Sequence, residues 1–271
     1  MTKARTRIWS ILLVTVLLLS MLPAMALAAS YANCADGDSC TQHEAAIGTT
    51  HYDTIEEAIT AANNNKGSTT TIKLLKDATM ETNQFLKNQI TLILDLKGYT
   101  LTSTSDGGIT IGTPKEETIG SHLTIKNGIY ENTHTYGTAI WGFIGGSITI
   151  ESTATVKAAD AAIITGDNSI TGCGTTVKVY GTIECGGTAI WGQGPKNKIY
   201  LDGATITADD FGVYHNYKFG GSEIEIKTST IEATGQDGVG IYLGNNESSA
   251  ADSTRQGKHT LSITDSTIEG A

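Results

Sequence analysis

The sequence predicts an all-β protein, a right-handed parallel β-helix of about seven to eight coils with an N-terminal capping α-helix. Two repeated phrases lead to this prediction. The first recurs through the second half of the chain with an apolar fourth residue at spacings of 23, 27, 23 and 28: Ile140, Ile163, Ile190, Val213 and Ile241. A period in the twenties, built from short alternating strands and Gly, Asn or Asp turns, is typical of a solenoid.

The second phrase is an apolar-polar-apolar triplet, for example Leu123-Thr-Ile125. Residues two apart on a strand share a face, so both apolar members are expected to point inward. A further apolar residue follows four to six positions later, which leaves room for a bend and another strand. These later residues are also expected to point inward: Leu101, Ile129, Val156, Ile183, Ile206, Ile231 and Ile268.

Residues 1–29 have the features of a secretory signal. A basic start precedes an apolar run at 11–22 and small residues suited to cleavage at 24–28. An uncleaved anchor is the alternative, but the run is short for a bilayer. We therefore expect a secreted or cell-surface protein with no membrane span after cleavage. The remainder divides into a cysteine-containing segment with the capping helix, 30–68, and the β-helix, 69–271.

The chain beyond the signal is acidic, with 15 lysines and arginines against 28 aspartates and glutamates. Arg255 is its only arginine. Phosphate contacts need clustered basic residues, so this composition argues against nucleic acid as a partner. No cofactor is predicted, because the sequence contains no phosphate-binding Gly-rich loop before a helix and no His-Glu-x-x-His motif.

All four cysteines follow the signal: Cys34, Cys40, Cys173 and Cys185. The first two enclose a short loop that a disulfide would close in an oxidising exterior. The alternative is a zinc site formed by Cys34, Cys40 and His43, with His51 as a further ligand, since thiolate and imidazole together suit zinc. The later pair flanks two strands, and spacing leaves open whether it forms a bridge or stays as thiols.

One amphipathic helix is predicted, in the segment that begins at His51. Thr54 and Glu57 form a capping box. The apolar face consists of Ile55, Ala58, Ile59 and Ala62. A helix before the first coil would cover the open apolar end of a solenoid.

Four stretches resemble a known class of proteins. They are CxxHEAAI from Cys40, HYxTIxxAI from His51, IKLLKD from Ile72 and LDLxGYTL from Leu94. They resemble the N-terminal part of pectate-lyase-like β-helix proteins that Gram-positive, clostridial-type gut bacteria secrete or display. The resemblance implies a pectin lyase-like fold outside the cell. That fold hosts enzymes, adhesins and stalks alike.

A column of threonines is predicted on the outside of the second strand: Thr100, Thr155, Thr182, Thr205, Thr230 and Thr267. Neighbouring coils lie about 4.8 Å apart, so hydroxyl and methyl groups pair between them. A single regular column favours stabilisation of the ladder over ice binding, which would need two.

A second outward column follows the fourth positions of the first phrase: Trp141, Ile164, Trp191, Tyr214 and Tyr242. Rows of exposed rings suit sugars, because pyranose faces pack on flat apolar rings and the Trp and Tyr tips can hydrogen-bond. The four aromatic members are therefore candidate glycan-binding residues. The alternative is a packed corner, with the loops at 143–147 and 193–197 folded over the column.

Asp106, Asp160 and Asp210 alternate with glycines three positions before the inward residue. Exchange of Asp and Gly favours a turn. The enzymatic alternative takes Asp209, Asp210 and His215 as catalytic, with Asp160 and Asp210 near the carboxylate separation of an inverting glycosidase. Polygalacturonases resemble this in placing paired aspartates and a histidine on a β-helix. Their substrate-binding Arg-x-Lys has no counterpart here.

Two functions follow from these patterns. The favoured one is a non-enzymatic extracellular β-helix protein, a surface stalk or adhesin-like module that binds host or dietary glycans along the aromatic column. The alternative is a polysaccharide-degrading enzyme, either a glycoside hydrolase or a lyase. The chain ends directly after a predicted strand, which leaves the last coil uncovered. The two expectations are that the sequence is a truncated gene product or that the last coil associates end to end with another chain.

Overall fold

The computed structural model describes residues 40–112, 120–143, 145–166, 174–194, 196–216, 221–244 and 259–271. The signal predicted for residues 1–29, together with Cys34 and Cys173, lies outside these ranges. No helix within them is long and apolar enough to cross a membrane.

The described chain begins with a small antiparallel hairpin of β1 (Ala45–Ile47) and β2 (Thr50–Tyr52), followed by α1 (Ile55–Asn63). The capping box is confirmed, since Thr54 Oγ1 accepts a hydrogen bond from the Glu57 N–H at 3.3 Å. The predicted apolar face of α1 is fully buried. Its start was predicted too early, because His51 belongs to β2.

Three stacks of parallel strands follow, and this confirms the parallel β-helix with its N-terminal helix. The first stack contains β3 (Thr69–Leu74), β6 (Thr91–Asp95), β9 (His122–Lys126), β12 (Ser147–Ile150), β15 (Thr176–Val179), β18 (Lys198–Asp202), β21 (Glu223–Lys227) and β24 (Thr260–Thr264). The second contains β4 (Ala78–Met80), β7 (Thr100–Ser103), β10 (Gly128–Asn132), β13 (Ala154–Ala158), β16 (Thr182–Cys185), β19 (Thr205–Ala208), β22 (Thr230–Ala233) and β25 (Thr267–Glu269). The third contains β5 (Gln84–Leu86), β8 (Ile109–Ile111), β11 (Thr138–Gly142), β14 (Ala161–Thr165), β17 (Thr188–Gly192), β20 (Phe211–Asn216) and β23 (Val239–Gly244).

The core is a set of inward columns, one residue per coil. In the third sheet the register pairs the predicted fourth positions in sequence: Ile109, Ile140, Ile163, Ile190, Val213 and Ile241. All but the last are fully buried. Burial of one such side chain contributes about 1.5–3 kcal/mol, so each coil depends on the coils that cover it.

The second sheet departs from the prediction in one coil. Tyr130, not Ile129, points inward, because β10 pairs Ile129 with Thr100 and Thr155. Ile129 therefore interrupts the threonine column, whose other members pair as predicted. The number of residues between the apolar triplet and the following strand varies from coil to coil. The sequence alone therefore does not show which residue of β10 points inward.

Tyr130 is fully buried, and its hydroxyl donates to the Ala139 carbonyl at 2.8 Å. The close approach is possible because Gly108 has no side chain. A Cβ on Gly108 would lie 2.2 Å from the Ala139 oxygen and 2.6 Å from the Tyr130 hydroxyl. Gly108 also has a φ of +49°, a backbone conformation that favours glycine.

We expect Gly108→Ala to be much more destabilising than Gly48→Ala. Both glycines have positive φ, where an added Cβ costs roughly 1–2 kcal/mol. Nothing lies within 4 Å of a Cβ at Gly48, whereas at Gly108 it would displace the Tyr130 hydroxyl. Urea unfolding followed by circular dichroism should show a loss of about 3 kcal/mol or more for Gly108→Ala. Equal midpoints for the two variants would contradict this account of the Tyr130 corner.

Candidate functional site

The predicted aromatic column exists as a register on the outside of the third sheet. The pairing of β11, β14, β17, β20 and β23 places its members side by side: Trp141, Ile164, Trp191, Tyr214 and Tyr242. Ile164 is buried and separates the two tryptophans. The column is therefore divided into an isolated Trp141 and a group of rings further along the solenoid.

That group is the aromatic patch, formed by Trp191, Phe211, Tyr214 and Tyr242. The Tyr214 and Tyr242 rings are stacked, with centroids 5.2 Å apart and an interplanar angle of 12°. Phe211 lies 4.7 Å from Tyr214 and 6.0 Å from Tyr242. Trp191 meets Tyr214 edge to face at 5.9 Å. Such pairs are worth about 0.5–1.5 kcal/mol beyond their buried area, so the rings hold one another in place.

Exposure rises toward one end of the patch. Trp191, Phe211 and Tyr214 are half-buried, whereas Tyr242 is 41% exposed. Stacked rings shield each other's faces, and among the described residues Tyr242 has one stacked neighbour, Tyr214, and one edge-to-face neighbour, Phe211. Tyr242 is therefore the ring of the patch best placed to receive a flat ligand.

Sequence reasoning missed Phe211. Strict alternation would put Phe211 and Tyr214 on opposite faces of β20, because they are three residues apart. Instead, Gly212 and Val213 are both buried in succession, and the ladder with β17 skips Gly212. A Cβ on Gly212 would lie 2.2 Å from Ile231, so only glycine allows this corner. The corner brings both rings to the outside.

Trp141 does not belong to the patch. Its ring is stacked on Phe143 at 5.2 Å with an interplanar angle of 15°, and Phe143 is itself buried. The indole Nε1 donates to the Gly166 carbonyl at 3.1 Å. Trp141 is half-buried, like Trp191, but one side of its ring packs on Phe143 and its polar tip is already hydrogen-bonded, as the packed-corner alternative expects.

The acidic column places Asp160 and Asp210 on either side of Gly187. The Gly187 carbonyl accepts from the Asp210 N–H at 3.0 Å, and Asp160 Oδ1 lies 2.6 Å from the position of a Cβ on Gly187. The Asp160 carboxylate thus leans across the glycine toward the coil of Asp210. Partial burial, together with the charge of Asp210, raises the pKa of Asp160.

His215 is not part of this carboxylate pair. It lies near the end of β20, about 16 Å along an extended strand from Asp210. Its side chain is fully buried in the solenoid, whereas Asp209 and Asp210 are exposed. The predicted catalytic group of Asp209, Asp210 and His215 is therefore wrong as a unit. Inward and outward alternation separates residues that the sequence places close together.

His215 instead belongs to an internal polar cluster. Its Nε2 lies 2.5 Å from the Ser222 Oγ, and its ring meets His259 at 4.6 Å. Gly192 in the preceding coil leaves the space, since a Cβ there would lie 2.2 Å from the imidazole. Burial, reinforced by His259, lowers the pKa of His215 to about 3.

Cys185 is a free thiol at the end of β16, half-buried beside the acidic column. Burial, opposed by backbone hydrogen bonds and reinforced by Asp209 and Asp160, raises its pKa to about 12. Its environment therefore disfavours the thiolate, which is the form of cysteine that acts as a nucleophile or metal ligand. Cys185 lines a shallow groove of about 630 Å³ together with Glu131, Lys157 and Glu184.

The metal candidates are partly brought together. Cys40 and His43 are in contact, and His51 completes a buried group whose ligand atoms lie within 4.8 Å of one another. Cys40 is disulfide-bonded, and its partner lies outside the described residues, as Cys34 does. The disulfide at Cys40 agrees with the favoured interpretation of this segment, and the assignment of Cys34 as its partner stays a prediction.

Comparisons with protein families, with curated proteins and with solved structures gave no match. The fold and the geometry of the described residues are therefore the basis for assigning a function.

We expect the stability of the protein to fall as the pH drops below about 6.5, in part because of His215. An unfolded histidine takes up a proton near pH 6.5, whereas His215 in the fold stays neutral to about pH 3. The unfolded state then binds more protons, so stability is lost by up to about 1.4 kcal/mol per pH unit. In His215→Gln, which keeps a partner for Ser222, urea unfolding between about pH 7 and pH 5 should show a shallower decline. Exposed His134 provides the control, and a shallower decline in His134→Gln as well would contradict the assignment to His215.

Proposed function

We propose that the protein is a non-enzymatic extracellular β-helix, a surface stalk or adhesin-like module that binds glycans at the aromatic patch. The observation that carries this proposal is the continuous group of four rings on the outside of the third sheet, ending in the 41% exposed Tyr242. Contiguous apolar surface of this kind often marks a binding site on a soluble protein.

The chemistry of the patch suits carbohydrate. A pyranose ring has an apolar face that packs on an aromatic ring, and its hydroxyls hydrogen-bond to Tyr and Trp tips at the edges. Tyr242 offers a face, while Trp191 and Phe211 form the flanks at ring distances of 5.9 and 6.0 Å from their tyrosine neighbours. Neighbouring coils repeat at about 4.8 Å, close to the length of one sugar unit, so a glycan chain would lie along the solenoid axis.

Two features support an extracellular location. The N-terminal 29 residues have the pattern of a secretory signal, and Cys40 is disulfide-bonded. Disulfides persist mainly outside the reducing cytosol. The resemblance of the N-terminal phrases to displayed β-helix proteins points to the same compartment.

We expect purified residues 30–271 to bind a subset of glycans on an array, and Tyr242→Ala to weaken that binding by about tenfold or more. Loss of one stacking ring removes about 1–2 kcal/mol, which corresponds to that factor. Trp191→Ala should weaken binding as well, since Trp191 orients Tyr214. Affinities of the bound glycans are then measured by calorimetry.

Tyr136→Ala is the matched control. Tyr136 is 79% exposed in the turn before β11 and belongs to no ring cluster among the described residues. Its removal should leave glycan binding unchanged. No binding by a well-folded sample, or equal losses in Tyr136→Ala and Tyr242→Ala, would exclude the aromatic patch as the site and leave a structural stalk.

A second candidate, a polysaccharide-degrading enzyme, is favoured by the Asp160 and Asp210 pair. An inverting glycosidase needs one carboxylic acid to protonate the leaving oxygen and one carboxylate to activate water, about 6.5–9.5 Å apart. Two coils separate the backbones of the pair by roughly 9–10 Å. The raised pKa of Asp160 suits the acid, and exposed Asp210 suits the base. The groove lined by Cys185 and Glu184 runs beside this edge.

This enzymatic candidate predicts release of reducing sugars from polysaccharides that bind the protein. Asp160→Asn and Asp210→Asn should each reduce the rate by at least about 100-fold, since each would remove an essential acid or base. Asp202→Asn, at the exposed end of β18, is the control and should leave the rate unchanged. Binding without turnover would reject the enzyme and retain the module.

A further inference from the structure

The segment before the solenoid gathers three side chains that suit a soft metal ion. β1 and β2 pair Ala46 with His51, and Ala46 packs with Cys40 and Leu75 in a small cluster apart from the main core. His43 immediately precedes this hairpin. The fold of the hairpin therefore brings Cys40, His43 and His51 together, although eleven positions separate the first from the last.

The distances within this cluster approach those of a zinc site. Cys40 Sγ lies 3.0 Å from His43 Nδ1, and the two imidazole rings lie 5.5 Å apart at 62°. All three potential ligand atoms lie within 4.8 Å of one another, and all three residues are buried. Tetrahedral zinc with bonds of about 2.0–2.3 Å would place sulfur and nitrogen ligands about 3.5 Å apart. Small side-chain movements would reach that geometry.

A further carboxylate orients one of the imidazoles. Asp53 Oδ1 lies 3.3 Å from His43 Nε2, and Asp53 is largely exposed. In the oxidised chain the Cys40 sulfur has no hydrogen, so His43 Nδ1–H donates to it. Once Cys40 is reduced, a hydrogen bond from His43 Nε2–H to the Asp53 carboxylate would leave the Nδ1 lone pair available to a metal ion. Carboxylate–histidine pairs of this kind fix the tautomer of zinc-binding histidines and raise their basicity. Since Asp53 is largely exposed and contacts buried His43, the cluster lies close to the surface.

The redox state of Cys40 determines whether this cluster can bind a metal ion. A sulfur in a disulfide is a weak ligand, whereas a thiolate is among the strongest that zinc has in proteins. The cluster is therefore complete as a metal site only when Cys40 is reduced. None of the glycan-binding or catalytic candidates takes part in it.

We propose that Cys40, His43 and His51 form a redox-controlled zinc site, closed by the disulfide under oxidising conditions and opened by a dithiol reductant. The dithiol supplies two electrons and two protons: its sulfurs join in a new disulfide, the bond at Cys40 breaks, and both protein sulfurs become thiols. Zinc then replaces the Cys40 thiol proton, which is released to solvent. Reduction followed by zinc binding thus replaces the disulfide at Cys40 with zinc coordination by Cys40, His43 and His51, just before the first coil.

The test compares the oxidised and reduced forms of residues 30–271, with the dithiol removed before titration because dithiols bind zinc. Competition with a chromophoric chelator should show one Zn²⁺ bound by the reduced chain, at least about 100-fold more tightly than by the oxidised chain. Co²⁺ in the same site should give thiolate charge-transfer absorption and the intense visible bands of tetrahedral coordination. Cys185 is a free thiol in the oxidised structure, so the difference between the two forms reports the disulfide.

Two variants separate this site from general metal binding. His51→Gln keeps the size of the side chain and removes the imidazole, so it should abolish tight binding, and Asp53→Asn should weaken binding by about 10–100-fold. His134→Gln alters an exposed histidine and should have no effect. Equal zinc affinity of the oxidised and reduced chains, absence of the thiolate band, or unchanged binding in His51→Gln would overturn the proposal. If His51→Gln fails to fold, the Co²⁺ spectrum of the wild-type chain still decides.

Discussion

The stacking of equivalent inward side chains from coil to coil is the interaction on which this structure depends. No single coil can bury its apolar residues, because Ile163 is covered only by Ile140 on one side and Ile190 on the other. The parallel backbone ladder holds these neighbours at about 4.8 Å, and their burial in turn holds the ladder in register. Since inward residues alternate with outward ones, the same register also lines up the side chains outside. Each candidate site of the solenoid is a consequence of this one repeat.

Alignment in columns has opposite effects on aromatic and charged residues. Rings in adjacent coils stabilise one another, as Tyr214 and Tyr242 do, but stacking hides their faces and leaves the terminal ring as the open one. Carboxylates in a column repel, and a glycine separates Asp160 from Asp210; partial burial, with a smaller contribution from the Asp210 charge, raises the pKa of Asp160. The column geometry therefore produces the aromatic patch and brings two carboxylates near each other without any dedicated loop.

Buried polar groups occupy the corners where the regular columns end. Tyr130 is accommodated by Gly108, and His215 by Gly192, so in both cases a glycine in the preceding coil makes room for a large side chain. Each has a hydrogen-bond partner, the Ala139 carbonyl and the Ser222 hydroxyl respectively. Burial without such partners would be costly for groups as large as these. The smaller Ser121 and Thr165 hydroxyls are buried without a hydrogen-bond partner in the described part of the chain. The hairpin before the solenoid follows the same rule, with His43 between Cys40 and Asp53.

The sequence by itself determined the β-helix, the capping helix, the aromatic register and the inward columns except in the coil of Tyr130, because coil-to-coil contacts repeat and a period in the sequence becomes a column in space. Only the tertiary structure decided which members of a column remain accessible. Phe143 stacks on Trp141 and the Gly212 corner turns Phe211 outward, and neither follows from a period. His215 was grouped with Asp210 by proximity in sequence, yet its partner Ser222 comes from the approach to another sheet. Periodicity specifies neighbours along the solenoid, whereas corners and connections bring together residues with no fixed spacing.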